Sequence, residues 1–173
     1  MKYSKEIIEK YDGCSAKELV DAGICPTCFD RQTKGHVFGD DTLQRVYEDK
    51  DIVCLFVGSP RAAGHMIIST KEHYHDMSEA PDKLNEKIIR YSSQLMKIIC
   101  DVFGCERVYL CTMCDGPMNH YHMQLIPRYK EEERGKMNFV KPRKEYKYDK
   151  EKFDAVKHLL EEYSNKKEAG RTI

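Results

Sequence analysis

The stretch His120-Tyr121-His122-Met123-Gln124-Leu125-Ile126-Pro127-Arg128 alternates groups that can ligate, attack or donate with groups that pack. On an extended chain, successive side chains point to opposite faces. His120, His122 and Gln124 then share one face, and Tyr121, Met123 and Leu125 the other. At about 3.3 Å per residue, the polar face spans about 13 Å. Imidazole can act as metal ligand, nucleophile or base. A carboxamide donates and accepts without carrying charge. Polar groups on a buried strand face need partners, so this pattern points to a site. A solvated strand face is the plain alternative.

A second constellation is Cys25-Pro26-Thr27-Cys28. The two-residue gap lets two thiolates reach one zinc ion at about 2.3 Å. This is half a site. Cys111 and Cys114 repeat the gap and could complete it, and His73, His75 and His120 are competing donors. By spacing alone the choice among them stays open.

These groups need a scaffold, and 173 residues suffice for one domain with a sizeable core. Lys plus Arg and Asp plus Glu number 29 each. This balance argues against a nucleic-acid partner held by bulk positive charge. No run approaches the ~20 apolar residues of a membrane span. The start, Met1-Lys2-Tyr3-Ser4-Lys5-Glu6, lacks the apolar stretch of a signal peptide. Eight cysteines without such a signal fit a reducing, cytoplasmic setting, where ligation or burial is expected over disulfides.

Residues 1–12 read as a short helix or a loose arm. Ser15 with Glu18 three residues on, and Gly23 beyond, predicts a helix over 15–22. Cys25 to Cys28 is too short for an element of its own, and 30–42 reads as a loop. Strands are expected near Val46-Tyr47, over 52–57 and over 65–69, the last two forming a hairpin. Leu84, Ile88, Tyr91, Leu95, Ile98 and Val102 recur at alternating spacings of four and three. They predict a long helix from Pro81 to Val102, with that stripe in the core. Strands follow over 107–111 and 121–126. Residues 128–152 read mostly as exposed loop. Tyr129-Lys130, Arg134 and Lys136 there could form a basic rim, though a solvated loop is the simpler expectation. A final helix is expected over 149–163, with the tail from Asn165 frayed. Adjacent strands with short links imply an antiparallel sheet and an α+β fold. The expected organisation is an N-terminal helical arm (1–24), a domain over 25–128, and a charged loop, helix and tail over 129–173.

His120 to Arg128 resembles the signature of the histidine triad (HIT) superfamily, with Gln in the third position. Gly64-His65-Met66-Ile67-Ile68-Ser69-Thr70-Lys71-Glu72-His73 resembles that family's strand of the form glycine, histidine, apolar run, lysine, histidine. Cys25-Pro26-Thr27-Cys28 resembles the zinc half-site of several branches. The resemblance implies a HIT-like half-barrel of five antiparallel strands with a long helix, usually paired as a homodimer. It implies that His122 attacks the α-phosphorus of a nucleotide ester or anhydride, forming a nucleotidyl-histidine. Water, phosphate or a sugar phosphate would then receive the nucleotide. It implies a structural zinc ion on Cys25, Cys28, His73 and His120, which leaves Cys111, Cys114 and His75 without that role. Gln124 would donate to a phosphate oxygen. Unlike histidine it cannot pass a proton to a leaving alcohol. Gln in this position resembles the transferase branch, which includes galactose-1-phosphate uridylyltransferase and the dinucleoside tetraphosphate phosphorylases. Transfer or phosphorolysis is therefore expected ahead of hydrolysis.

Two positions depart from the family pattern. Val57 stands where many relatives carry a ribose-binding Asn or Asp, and Pro117 stands where a phosphate-touching Ser or Thr is common. Ser59, Arg61 or Asn119 could substitute for them. Arg61, His65, Asn119 and Gln124 are the candidate nucleotide-binding residues, with a buried strand histidine the alternative for His65. Two other classes compete with the enzyme. One is a non-catalytic zinc module on Cys25, Cys28, Cys111 and Cys114. The other is a triad fold that binds a nucleotide without useful turnover.

Overall fold

The computed structural model describes residues 1–39, 44–114, 116–135, 142 and 149–168. Five strands form one antiparallel sheet: β1 (Arg45–Glu48), β2 (Ile52–Phe56), β3 (Met66–Thr70), β4 (Arg107–Cys111) and β5 (His122–Arg128), in the order β1-β2-β3-β5-β4. The α+β class and the five-stranded antiparallel sheet agree with the expectation.

The sheet has one dry face. Ile52, Cys54, Phe56, Met66, Ile68, Met123 and Leu125 are each at most 4% exposed, all in one cluster. The next residue along each strand faces the other way, which sends His122 and Gln124 away from the core. Register fixes their neighbours: Ser69 pairs with His122, and Ile67 with Gln124.

Two helices cover the dry face. Helix α4 (Asp82–Phe103) buries Ile88, Tyr91, Leu95 and Ile98, four residues of the stripe the sequence predicts. Gly104 then ends the helix in the left-handed conformation, its N–H donating to Cys100 O at 2.9 Å. Gly64 precedes β3 at φ 76°, and a Cβ there would lie 2.9 Å from the Phe103 ring. Only glycine meets both demands. The last helix, α5 (Lys150–Glu168), packs on α4 and β1. Residues 169–173 lie outside the described residues. The helix continues through Asn165, where a frayed tail is expected, to Glu168. The reason is Ser164, whose hydroxyl meets Tyr47 Oη at 3.3 Å and Tyr91 Oη at 3.2 Å. Phe153 of α5 stacks on Phe56 with ring centroids 3.7 Å apart.

Three short helices precede the sheet: α1 (Lys5–Tyr11), α2 (Ala16–Asp21) and α3 (Pro26–Thr33). The Ser15–Glu18 capping box opens α2, as its spacing predicts. The segment read as too short for an element, Cys25 to Cys28, is the start of α3, which also takes the first residues of the expected 30–42 loop. Pro26 explains this, because proline suits a first helical turn that needs no N–H partner. Leu19, Ile24 and Phe29 form a second small core with Tyr3, Ile8 and Tyr11 around them. Residues 136–141 and 143–148 of the expected 128–152 loop, Lys136 among them, lie outside the described residues.

Candidate functional site

The start of α3 places Cys25 at the helix cap and Cys28 one turn in. Tyr3 holds this start: its hydroxyl accepts from the Cys25 N–H at 2.7 Å, and its own N–H donates to Gln32 Oε1 at 3.0 Å. The thiols face the entrance to β5. Cys25 Sγ lies 3.5 Å and Cys28 Sγ 3.4 Å from His120 Nδ1, and Cys28 Sγ lies 3.5 Å from His73 Nδ1. The four donor atoms lie within 4.8 Å of one another. With metal–sulfur bonds of about 2.3 Å and metal–nitrogen bonds of about 2.0–2.1 Å, a tetrahedral ion holds sulfur and nitrogen about 3.6 Å apart. The three sulfur–nitrogen separations of 3.4–3.5 Å meet that geometry within a few tenths of an ångström. His120 Nε2–H donates to Thr70 O at 2.8 Å, which keeps the Nδ1 lone pair for the cluster.

The two thiols differ in acidity. A hydrogen bond from Cys25 holds the Cys28 thiol well below its usual range, and His120 adds to this. The same bond, followed by burial, pushes Cys25 up. Burial lowers His73. A dication held among these groups would favour both thiolates.

One step along β5 the chemistry changes. His122 Nδ1–H donates to His120 O at 2.8 Å, which leaves Nε2 as the unprotonated nitrogen. The Gln124 amide nitrogen lies 3.4 Å from that Nε2. Gln124 is 5% exposed, whereas His122 is half-buried and lines an open cleft of about 1100 Å³. Val53, Leu55, Val57 and Ile67 give the cleft an apolar sheet floor, and α3 with its following loop lines it too. Val57 and Ser59, positions singled out in the sequence, both lie on this lining.

Other candidates sit elsewhere. His65 is 1% exposed and its Nδ1 accepts from the Arg61 N–H at 3.1 Å. This bond staples the turn before β3. Asn119 Nδ2 donates to His75 O and ties two loops together. Arg61, His65 and Asn119 do not line the cleft. Cys111 and Cys114 lie outside the four-donor cluster, Cys114 bonding to Thr112 Oγ1 at 2.9 Å. His75 pairs with Glu79 at 3.0 Å. All eight cysteines are free, and no helix among the described residues is long and apolar enough to cross a membrane.

The cations that do line the cleft are Arg31, Lys34, Arg45 and Lys71. Sequence reasoning named none of them as site residues. Arg31 Nη1 donates to the Thr70 and Lys71 carbonyls, and Nη2 to Ser69 Oγ at 3.0 Å. Its position three residues after Cys28, on the same helix, is the only sequence signal that could have found it.

A family model described as the HIT domain matches residues 39–131. An uncharacterized HIT-like protein of Borreliella burgdorferi is 31% identical over 93 residues, 50% of this chain and 66% of that protein. Protein hit of Bacillus subtilis is 28% identical over 99 residues, 54% of this chain and 67% of the relative. The chain thus spans about two thirds of these relatives. A zinc-bound histidine triad family protein from Mycobacterium smegmatis superposes with a TM-score of 0.58 at 14% identity, covering 73% of this chain and 90% of that one. A hypothetical histidine triad nucleotide-binding protein from Sulfolobus tokodaii gives 0.57 at 20%, covering 71% and 87%. Diadenosine triphosphate hydrolase of Plasmodium falciparum gives 0.53 at 15%, covering 76% and 82%. At these identities the likeness is one of fold.

Proposed function

The chain belongs to the HIT domain family, and from that premise we propose that it transfers a nucleotidyl group from a nucleotide anhydride or ester through His122. The carrying observation is the fixed tautomer of His122. Its Nδ1–H is held by His120 O at 2.8 Å, and the side chain lines the cleft. In the first step Nε2 forms a bond to the α-phosphorus. The bond from phosphorus to the leaving oxygen breaks, and that oxygen takes the electron pair. The Nδ1–H stays on the ring, where the His120 carbonyl steadies the imidazolium character. In the second step an acceptor oxygen attacks phosphorus and the P–N bond breaks, returning neutral His122. Gln124 donates to a phosphate oxygen and carries no proton to the leaving group. A phosphate leaving group or acceptor needs none, which favours transfer or phosphorolysis.

The donor set of Cys25, Cys28, His73 and His120 fits a zinc ion. Bound there, zinc would neutralise the thiolates and tie α3 to β5. The role is structural, since His122 supplies the nucleophile. The active form is taken as a homodimer, as the resemblance implies. The second reading is hydrolysis. It is favoured by the half-exposed position of His122 in an open cleft, which water can enter.

Intact-mass spectrometry tests the proposal after incubation with nucleotide sugars and dinucleoside polyphosphates. A nucleotide-sized adduct that is present in the wild type and absent in His122→Ala is expected. No adduct with any donor, in protein that keeps its zinc, overturns it. Release of equal free monophosphate with and without inorganic phosphate supports hydrolysis over transfer.

A further inference from the structure

The chain as a whole is neutral, yet the cleft is positive. Arg31, Lys34, Arg45 and Lys71 line it against two carboxylates, Asp30 and Glu48. Both carboxylates are engaged. Asp30 Oδ1 accepts the N–H groups of Val37 and Phe38 at 2.8 and 2.9 Å. Glu48 pairs with both Arg45 and Lys71. Two positive charges are left over, and they concentrate where α3 ends.

Arg31 brings one of them beside the nucleophile. Its Nη2 donates to Ser69 Oγ, and Ser69 pairs directly across the strands with His122. The guanidinium therefore stands one side chain from the candidate nucleophile. The bonds to Thr70, Lys71 and Ser69 use three of its five N–H groups. Lys34 brings the second charge. It closes α3 at φ 57° and ψ 47°, and it is the one non-glycine residue at positive φ among the described residues. A lysine adopts this conformation at a cost, where glycine is the usual occupant. The strain falls on a cleft-lining cation, as strain at ligand sites often does.

We propose that Arg31 and Lys34, with Lys71 beside them, form a second phosphate subsite, separate from the position of the phosphorus that His122 attacks. This deepens the proposed function and rests on it for the place of the reacting group. The subsite takes a phosphate that is either next in the substrate's chain or free and acting as acceptor. It also supplies a reason for Gln124: a departing phosphate oxygen that receives its electron pair beside two cations needs no proton. Substrates bearing a further phosphate are then preferred over simple nucleoside esters or amides.

Titration calorimetry on the zinc-loaded full chain tests this. The probes are uridine and adenosine mono- and diphosphates and inorganic phosphate, at two salt concentrations. The key variant is Lys34→Gly, because glycine suits the left-handed position and should hold or raise the melting temperature. Expected is a fall of about tenfold in the ratio of diphosphate to monophosphate affinity, as for a lost charge-assisted contact, with a shallower salt dependence. Arg31→Lys, which keeps a charge but loses the fork, should show a smaller fall. A parallel loss of inorganic phosphate affinity assigns the subsite to the acceptor. Loss confined to the diphosphate assigns it to the substrate's next phosphate. An unchanged ratio with unchanged inorganic phosphate affinity in Lys34→Gly overturns the proposal. Failure of the His122 adduct assay would instead defeat the nucleotidyl reading and leave the phosphate measurement standing.

Discussion

Stripping metal from Cys25, Cys28, His73 and His120 should lower the melting temperature steeply. Three of the sulfur–nitrogen separations are already 3.4–3.5 Å where a tetrahedral ion asks for about 3.6 Å, and all four donor atoms lie within 4.8 Å of one another. Binding therefore spends little on rearrangement. Zinc held at a thousand times its dissociation constant contributes about 4.1 kcal/mol to the folded state. For a chain of this length, each kcal/mol moves the midpoint by about 2–4 °C. Chelation should then cost about 8–16 °C. The loss should begin at α3, whose cysteines are its link to β5 and whose Arg31 is its link to β3. The assay is thermal unfolding in zinc-buffered and chelator-treated samples, with bound metal measured alongside. Cys25→Ser should mimic the chelator, and Cys111→Ser should match the wild type. A chelator shift under about 2 °C, or an equal loss of metal from Cys111→Ser, refutes the assignment of these ligands.

Zinc affinity should rise tenfold per pH unit between about pH 7 and 8. Cys28 is held low and is already a thiolate there, while Cys25 is pushed up and must shed its proton on binding. Burial keeps His73 neutral in that window. A competition titration that gives a slope of two would mean both thiols begin protonated. Gly64→Ala should cost about 2 kcal/mol or more in urea unfolding, because it adds a strained φ to a 2.9 Å approach to Phe103. Leu160→Ala removes a fully buried side chain from α5 and should cost about 2–5 kcal/mol. A loss below about 1 kcal/mol would show that α5 melts apart from the sheet.

Period-two alternation carries the most information in this chain. It puts His122 and Gln124 on one face, and the register of β3 against β5 keeps them there. The α4 stripe is equally readable, since a 22-residue helix shows its apolar period many times over. What the sequence hides is set by geometry between elements. Cys25 to Cys28 looks too short to be an element because Pro26 opens its helix from within the motif. Arg31 and Lys34 read as loop cations because no local pattern tells that their helix ends over the sheet. Arg61, His65 and Asn119 look like ligand contacts. In the structure His65 Nδ1 accepts from the Arg61 backbone and Asn119 Nδ2 donates to His75 O, contacts between loops that sequence does not reveal.

The carbonyl of Thr70 accepts from both His120 Nε2 and Arg31 Nη1. One backbone oxygen is thus the common fixed point of the Cys–His cluster and of the cationic end of the cleft. No side-chain exchange deletes a peptide oxygen: Thr70→Ala would remove the Oγ1 contacts to His120 and Tyr121 and still leave this oxygen in place. Length is the variable that matters. Adding or removing one residue between Thr70 and His73 would rotate that peptide and disturb cluster and cleft together. The number of residues in this segment is therefore held more tightly than the kind of residue at position 72.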